Sequence, residues 1–260
     1  MIELLKGDCL EVMKGIPSGS IDAIITDPPY GTTACKWDSV IDFDLMWEQL
    51  NRIIKPNGAI VLFGSEPFSS ALRMSNIKNY KYDWVWQKHK ASNFMLAKKQ
   101  PMKVTENISI FYKKQPTYNY QLRELTEQGK KRNNREQNGK FNKKETVFGD
   151  TTNLKVFSYK GKNKGYPLNV IKINGVVNNQ FKKELVHPTQ KPIALMEYLI
   201  KTYTNEGETV LDFTMGSGST MVAAKNTNRS GIGIEMDEGY FKTANERVNY
   251  TEPQKTIPFD

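Results

Sequence analysis

The residues best suited to chemistry lie in one short stretch, Ile24-Ile25-Thr26-Asp27-Pro28-Pro29-Tyr30-Gly31. A strand-like run with apolar Ile21, Ala23, Ile24 and Ile25 stops at an acid, two prolines, an aromatic ring and a glycine. Proline has no N–H to donate and cannot continue a central ladder, so the strand ends there. The turn leaves Asp27, proline-flanked carbonyls and the Tyr30 ring at a strand's carboxyl end, the edge at which open α/β sheets bind ligands. Such a set can hold a planar group bearing an exocyclic amine. The ring stacks on the plane, while carboxylate and carbonyl accept the N–H bonds. A nucleobase turned out of its stack is a group of this kind.

A second constellation lies far along the chain. Phe213-Thr214-Met215-Gly216-Ser217-Gly218-Ser219-Thr220 joins a strand, Thr209 to Asp212, to a helix over Met221 to Asn226. A Gly-x-Gly in such a loop lets the backbone approach a ligand closely. Glu235 ends the next strand about 20 residues on, where an acid binds ribose hydroxyls. The lysine of a phosphate-binding loop is missing after Gly218, which disfavours ATP, and the third glycine of the dinucleotide pattern is missing too, which disfavours NAD. A ligand with a ribose and no phosphate fits this version. Asp8, just past a strand over Ile2 to Leu5, has two readings: a helix N-cap, which Asp favours, or an acceptor for an adenine amine or a ribose.

The intervening segments alternate between the two periods. A helix is expected over Phe43 to Ile54, ended by Lys55-Pro56-Asn57-Gly58, then a buried strand from Ala59 to Phe63. Another helix opens near Pro67, and strands follow over Tyr80 to Gln87 and Asn107 to Tyr112. Pro192 reads as the first residue of a helix whose stripe is Ile193, Met196, Leu199, Ile200 and Tyr203, and a last helix runs from Asp237 to about Val248. This alternation predicts an α/β fold with a mostly parallel, doubly wound sheet. The polar stretch Gly31 to Asp42 is expected to be a mobile loop over the site.

With 260 residues, the chain can bury one full α/β core and carry an inserted lobe. Its net charge of +9 points to a polyanion, nucleic acid first. Cys9 and Cys35 stand outside any metal spacing and only His89 and His187 accompany them, so neither a metal nor a disulfide framework is expected. The N-terminus lacks the pattern of a leader and the apolar runs are too short to span a bilayer, so no membrane and a cytoplasmic location are expected. From Lys113 to about Lys164, lysine and arginine are interleaved with Asn, Gln, Gly and aromatic residues. The stretch is either a solvated loop or a DNA-contacting lobe. Candidate phosphate contacts are Lys130, Lys131, Arg132, Arg135, Lys140, Lys143 and Lys144.

Asp27-Pro28-Pro29-Tyr30 resembles the Asp-Pro-Pro-Tyr motif of the amino-directed DNA methyltransferases, which transfer a methyl group from S-adenosylmethionine to adenine N6 or cytosine N4. The stretch from Leu211 to Thr220 resembles the family's Leu-Asp-Pro-Phe-x-Gly-Ser-Gly-Thr-Thr, departing at Phe213 and Thr214, and His187 to Pro192 resembles the segment that precedes it. The order, catalytic motif first and glycine loop last, is that of the beta arrangement. The likeness covers most of the chain except roughly 115 to 180, where similar enzymes carry target recognition.

The resemblance implies a single Rossmann-like methyltransferase domain over 1–260 with a basic target-recognition insertion at about 115–180. It implies catalytic roles for Asp27, Pro28, Pro29 and Tyr30. For the cofactor it implies Asp8, Cys9, Asp27, Lys191, Asp212, Phe213, Thr214, Gly216, Ser217, Gly218, Ser219, Thr220 and Glu235. The implied partner is double-stranded DNA, from which the target base is flipped, with a homodimer and a cognate restriction endonuclease as further expectations. A leading Asp is commoner among the adenine enzymes and Ser among the cytosine enzymes. Adenine N6 is therefore expected, with cytosine N4 as the alternative and an inactive DNA-binding protein as a third reading.

Overall fold

The computed structural model describes residues 1–32, 38–134, 163–175 and 190–250. In chain order the elements are β1 (Ile2–Lys6), α1 (Cys9–Met13), β2 (Ile21–Thr26), α2 (Phe43–Ile53), β3 (Ile54–Gly64), α3 (Phe68–Ser75), β4 (Tyr80–Ser92) and β5 (Lys103–Phe111). After these come β6 (Arg123–Glu124), α4 (Glu127–Asn134), β7 (Lys164–Gly165), β8 (Val170–Lys172), α5 (Ile193–Tyr203), β9 (Thr209–Asp212), α6 (Ser219–Asn226), β10 (Ser230–Glu235) and α7 (Glu238–Tyr250). Tyr120–Leu168 forms a compact unit of its own, in which β6 pairs antiparallel with β7.

The other unit is built on an eight-stranded sheet in the order β1-β10-β9-β2-β3-β5-β4-β8. Its pairs are parallel except those of β5, which runs antiparallel to β3 and β4. Strand order reverses where β2 meets β9, with Ala23 opposite Val210 and Ile24 opposite Leu211. A reversal of this kind opens a crevice at the carboxyl ends of the strands. Both chemistry-bearing stretches leave the sheet there, Asp27 after β2 and Phe213 after β9.

The sheet is buried on both faces. Ala23 and Ile25 of β2 pack with Leu195 and Leu199 of α5, while Ile24 packs with Leu50 and Ile53 of α2. This is the alternation expected of a strand covered on two sides. Ile21 sits with Ile24 instead of alternating against it, because the β2–β3 register shifts between Ile21 and Ala23.

Some boundaries differ from expectation. β3 begins at Ile54 and not at Ala59, because Ile54 turns directly into extended backbone (φ −72, ψ 139) and pairs with Ile21. Gly58 permits this: a Cβ there would stand 2.8 Å from the Asp22 carbonyl oxygen. β4 continues to Ser92 and β5 starts at Lys103, so the hairpin is longer than its apolar part. Lys88, His89 and Lys90 hide that extension from an apolar count. Pro192 is the cap of α5, with extended backbone, so the helix begins at Ile193, one residue after the expected start. No described helix is long and apolar enough to cross a membrane.

Tyr203 links the two halves of the sequence. Its side chain is 1% exposed, and its hydroxyl accepts the Trp84 Nε1–H at 2.7 Å and bonds the Tyr82 hydroxyl at 3.0 Å. Tyr203→Phe leaves the buried Trp84 donor unpaired, which costs about 1–3 kcal/mol. A lower urea midpoint with an unchanged slope checks this, and an unchanged midpoint refutes it.

Candidate active site

The two turns share a cavity of about 630 Å³. Its wall draws on the carboxyl ends of β1, β2, β9 and β10, on Trp86 and Lys88 of β4, on Glu106 of β5, and on Lys191 before α5. The sequence-predicted residues that line it are Asp8, Cys9, Asp27, Pro28, Pro29, Tyr30, Lys191, Asp212, Phe213, Thr214, Gly216, Ser217, Ser219, Thr220 and Glu235. Gly218 does not line it. It occupies the left-handed region at φ 77 before α6, and a Cβ there would come within 3.0 Å of the Ala244 Cβ, so the glycine serves the turn and helix packing.

The Asp27 turn is fastened from two sides. Asp38, only 8% exposed, accepts the backbone N–H of Tyr30 at 2.7 Å, Gly31 at 2.9 Å and Thr32 at 2.9 Å. The Tyr30 ring stacks on Phe68 with centroids 5.0 Å apart. The expectation of a mobile loop overlooked Asp38. Its only signal was an acid a few residues past a turn rich in unpaired N–H groups. Residues 33–37 of that loop, with Cys35, lie outside the described residues.

Asp27 sits in a buried charge network. One carboxylate oxygen accepts the Tyr30 hydroxyl and the other accepts the Lys191 ammonium. Lys191, 7% exposed, also faces Glu106 at 3.3 Å, and Glu106 pairs with Lys88 at 2.7 Å. Two carboxylates and two ammonium groups balance, which makes the burial tolerable. Burial raises the Asp27 carboxyl above its ordinary value, opposed by Lys191 and assisted by Glu106. Burial acts on Glu106 in the same sense, yet Lys191 and Lys88 together hold it below the usual range. Burial would strip the Lys191 proton, but the two acids keep it on. Sequence reading missed Glu106 and Lys88, which lie on β5 and β4 with no motif to mark them.

A second knot ties the turns together. Asp212 accepts the Thr26 hydroxyl at 2.6 Å, the Thr220 hydroxyl at 2.5 Å and the Thr214 N–H at 3.2 Å. Its oxygens are thus engaged by protein. Phe213 is 1% exposed and packs with Ile24 and Leu211, so its ring is core more than free wall.

At the far end, Lys6 of β1 lies opposite Glu235, the last residue of β10, so Asp8 and Glu235 sit at neighbouring strand ends. Asp8 caps α1, accepting the Leu10 N–H at 2.8 Å, and also lines the cavity. Glu235 accepts the N–H of Gly216 at 2.9 Å and of Asp237 at 2.8 Å. Burial pushes the Cys9 thiol up to about 12, so it stays protonated and inert.

Of the predicted DNA contacts, Lys130, Lys131 and Arg132 lie on α4 within the 120–168 unit. Lys131 is exposed and Lys130 pairs with Glu127 at 2.6 Å. Arg135, Lys140, Lys143 and Lys144, like His187, lie outside the described residues. Among the described residues, no cluster of acids, histidines and cysteines could hold a metal.

An α/β sheet whose reversal point opens on an acid–proline turn, a glycine loop and two strand-end acids defines a nucleoside-binding enzyme of the Rossmann-like class. A family model for DNA methylases, N6_N4_Mtase, matches residues 21–246, and the chain belongs to that family. It is 28% identical over 258 residues to the type II methyltransferase M.HpaI of Haemophilus parainfluenzae, covering 95% of this chain and 74% of that one. To M.HinfI of Haemophilus influenzae it is 26% identical over 277 residues, covering 96% and 69%. Among solved structures, the M1.HpyAVI–SAM complex superposes with a TM-score of 0.61 at 27% identity, covering 96% of this chain and 100% of that one. The cytosine-N4-specific PvuII DNA methyltransferase shares the fold, with a TM-score of 0.67 at 16% identity, covering 98% and 88%.

Burial raises the Asp212 carboxyl from 3.8 to about 6 against the pull of its hydrogen bonds. The folded state therefore holds this proton more tightly than the unfolded chain does. Its contribution to stability is full below about pH 4, is lost as pH rises to about 6, and is level above that. Asp212→Asn should remove this component. The difference in melting temperature between wild type and variant then shrinks from pH 4 to pH 6 and stays constant above pH 7; a difference independent of pH refutes the assignment.

Proposed function

We propose that the chain methylates adenine N6 in double-stranded DNA, with S-adenosylmethionine as methyl donor. The observation that carries this is the Asp27 carboxylate, buried in the cavity and fixed by Tyr30 and Lys191. The far end of the cavity suits the donor: Glu235 for the ribose hydroxyls, Asp8 for the adenine amine, and the Gly216 backbone for close approach. When bound, S-adenosylmethionine supplies a methyl group made electrophilic by its sulfonium.

The rest is done by this chain's own groups. An exocyclic amine is a poor nucleophile because its lone pair is delocalised into the ring. Accepting its N–H bonds at the Asp27 carboxylate and the Pro28 carbonyl concentrates density on nitrogen. An ionised carboxylate has about four acceptor sites. Tyr30 and Lys191 therefore fix the Asp27 rotamer without exhausting it. Lys191 opposes the burial that would neutralise Asp27, and Glu106 with Lys88 holds Lys191 in place. As the nitrogen forms its new bond to carbon it sheds one proton, and Asp27 is the acceptor already on that N–H. A preorganised, poorly hydrated site makes these dipoles count. The leading acid of the motif favours adenine over cytosine, and the 120–168 unit is assigned target recognition, with the α4 lysines on phosphates.

Incubation with labelled cofactor and mixed-sequence duplex DNA, followed by nucleoside mass spectrometry, tests the reading. N6-methyladenine is expected, whereas N4-methylcytosine overturns the base and absence of label overturns the activity. Asp27→Ala should abolish turnover while calorimetry finds cofactor affinity within about threefold of wild type. Tyr30→Phe, which keeps the ring and loses the bond to Asp27, should fall between wild type and Tyr30→Ala. Glu235→Ala should weaken cofactor binding roughly ten- to a hundredfold, and unchanged affinity with an intact fold would remove Glu235 from the site.

A further inference from the structure

β4 and β5 bring Trp86, Lys88 and Glu106 to the cavity and then run on past it. Beyond their last paired residues, Ser92 and Lys103, the chain forms a tip: Asn93 in the left-handed region at φ 64, then a 3-10 turn over Phe94–Leu96. Phe94 is 75% exposed, Met95 85% and Leu96 42%, and Met102 on the returning arm is 50% exposed. An aromatic ring and two thioethers presented together to water mark a binding surface more often than an accident. The electrostatics are as unusual. Between Asp83 and Glu106 the sequence holds five lysines, one histidine and no acid. Lys88 and Lys103 are engaged at the root, by Glu106 and by Ser65, while Lys90, Lys98 and Lys99 are exposed around the tip.

Protein-binding patches are depleted in lysine, so this mixture suits a protein partner poorly. A DNA duplex takes both halves at once: ammonium groups lie on phosphates, and apolar side chains wedge between base steps and unstack them. The distance also fits. From the cavity wall at Lys88 to Phe94 an extended run reaches roughly 20 Å, about six base-pair steps.

We propose that the β4–β5 tip is a DNA-contacting surface distinct from the 120–168 unit. Phe94 and Met95 enter the base stack about six base-pair steps from the target base, while Lys90, Lys98 and Lys99 lie along the phosphates. The inference rests on the proposed DNA methylation and adds an element that disturbs the duplex from which the base is taken. No bond is made or broken by the tip.

Four full-length proteins test it: wild type, Phe94→Ala/Met95→Ala, Phe94→Leu/Met95→Leu and Lys98→Ala/Lys99→Ala. The probe is mixed-sequence duplex DNA. The alanine pair should lower kcat/KM for methyl incorporation about ten- to a hundredfold, with cofactor affinity and melting temperature unchanged. The leucine pair should stay within about threefold of wild type, since an apolar wedge is all that is required. The lysine pair should lower the slope of log affinity against log salt by about two units. Unchanged incorporation by the alanine pair overturns the wedge, and so does a loss accompanied by loss of cofactor binding. Conversion of a wild-type dimer to monomer by the alanine pair, in sedimentation velocity, assigns the tip to a second copy and overturns it. Binding to phosphatidylserine vesicles that the alanine pair abolishes, with incorporation intact, does the same for a lipid surface. If wild type transfers no methyl group, the proposed function fails by itself, and the salt slope of duplex binding still decides the surface.

Discussion

The site depends on one pairing, β2 beside β9. Strands that enter the sheet from opposite ends of the chain lie side by side, and their continuations leave in opposite directions across the sheet. That reversal leaves room at the carboxyl edge for a ligand. The buried Asp212, accepting from Thr26 of β2 and Thr220 of α6, then locks the two exit turns together. The cavity, the closeness of Asp27 to the glycine loop and the joining of two distant motifs all follow from this contact. Its polar groups are buried and mutually satisfied, so losing one partner exposes the desolvation cost of the other.

The charge network around Asp27 answers a different demand. Under the proposed function Asp27 accepts amine hydrogens as a carboxylate, and burial drives it toward its neutral form. Lys191 opposes that drift, but one ammonium facing two buried acids leaves an excess of negative charge. Lys88 completes the balance from β4. Ion pairs of this kind do little for global stability when compared with apolar packing. Their value here is in holding one oxygen geometry. The antiparallel β4–β5 hairpin thereby earns its place in an otherwise parallel sheet: it supplies the second acid and the second lysine, and its tip projects beyond the wall.

Much of this was legible in the residues. Proline and glycine chemistry placed the Asp27 turn and the Gly216 loop at strand ends, because those residues act through local backbone rules that need no partner. Continuous apolar runs located the central strands, because both faces of the sheet are covered, and a stripe at helical spacing located α5. Asp8 was readable as a cap or a ligand contact, and local geometry alone could not separate the two, since the residue that caps α1 also lines the cavity.

What the sequence by itself determined is the set of turns and the order of strands and helices, since propensity and period are properties of neighbouring residues. Tertiary structure alone decided which charged groups share a pocket. Glu106, Lys88 and Asp38 carry no motif, and a polar side chain on a strand or loop looks the same in sequence whether it meets water or a buried partner. Gly218 makes the converse point: it fits the ligand pattern in sequence, yet its missing side chain makes room for Ala244 of α7. Both outcomes hang on contacts between residues far apart in the chain, and only the three-dimensional path brings those atoms within bonding distance.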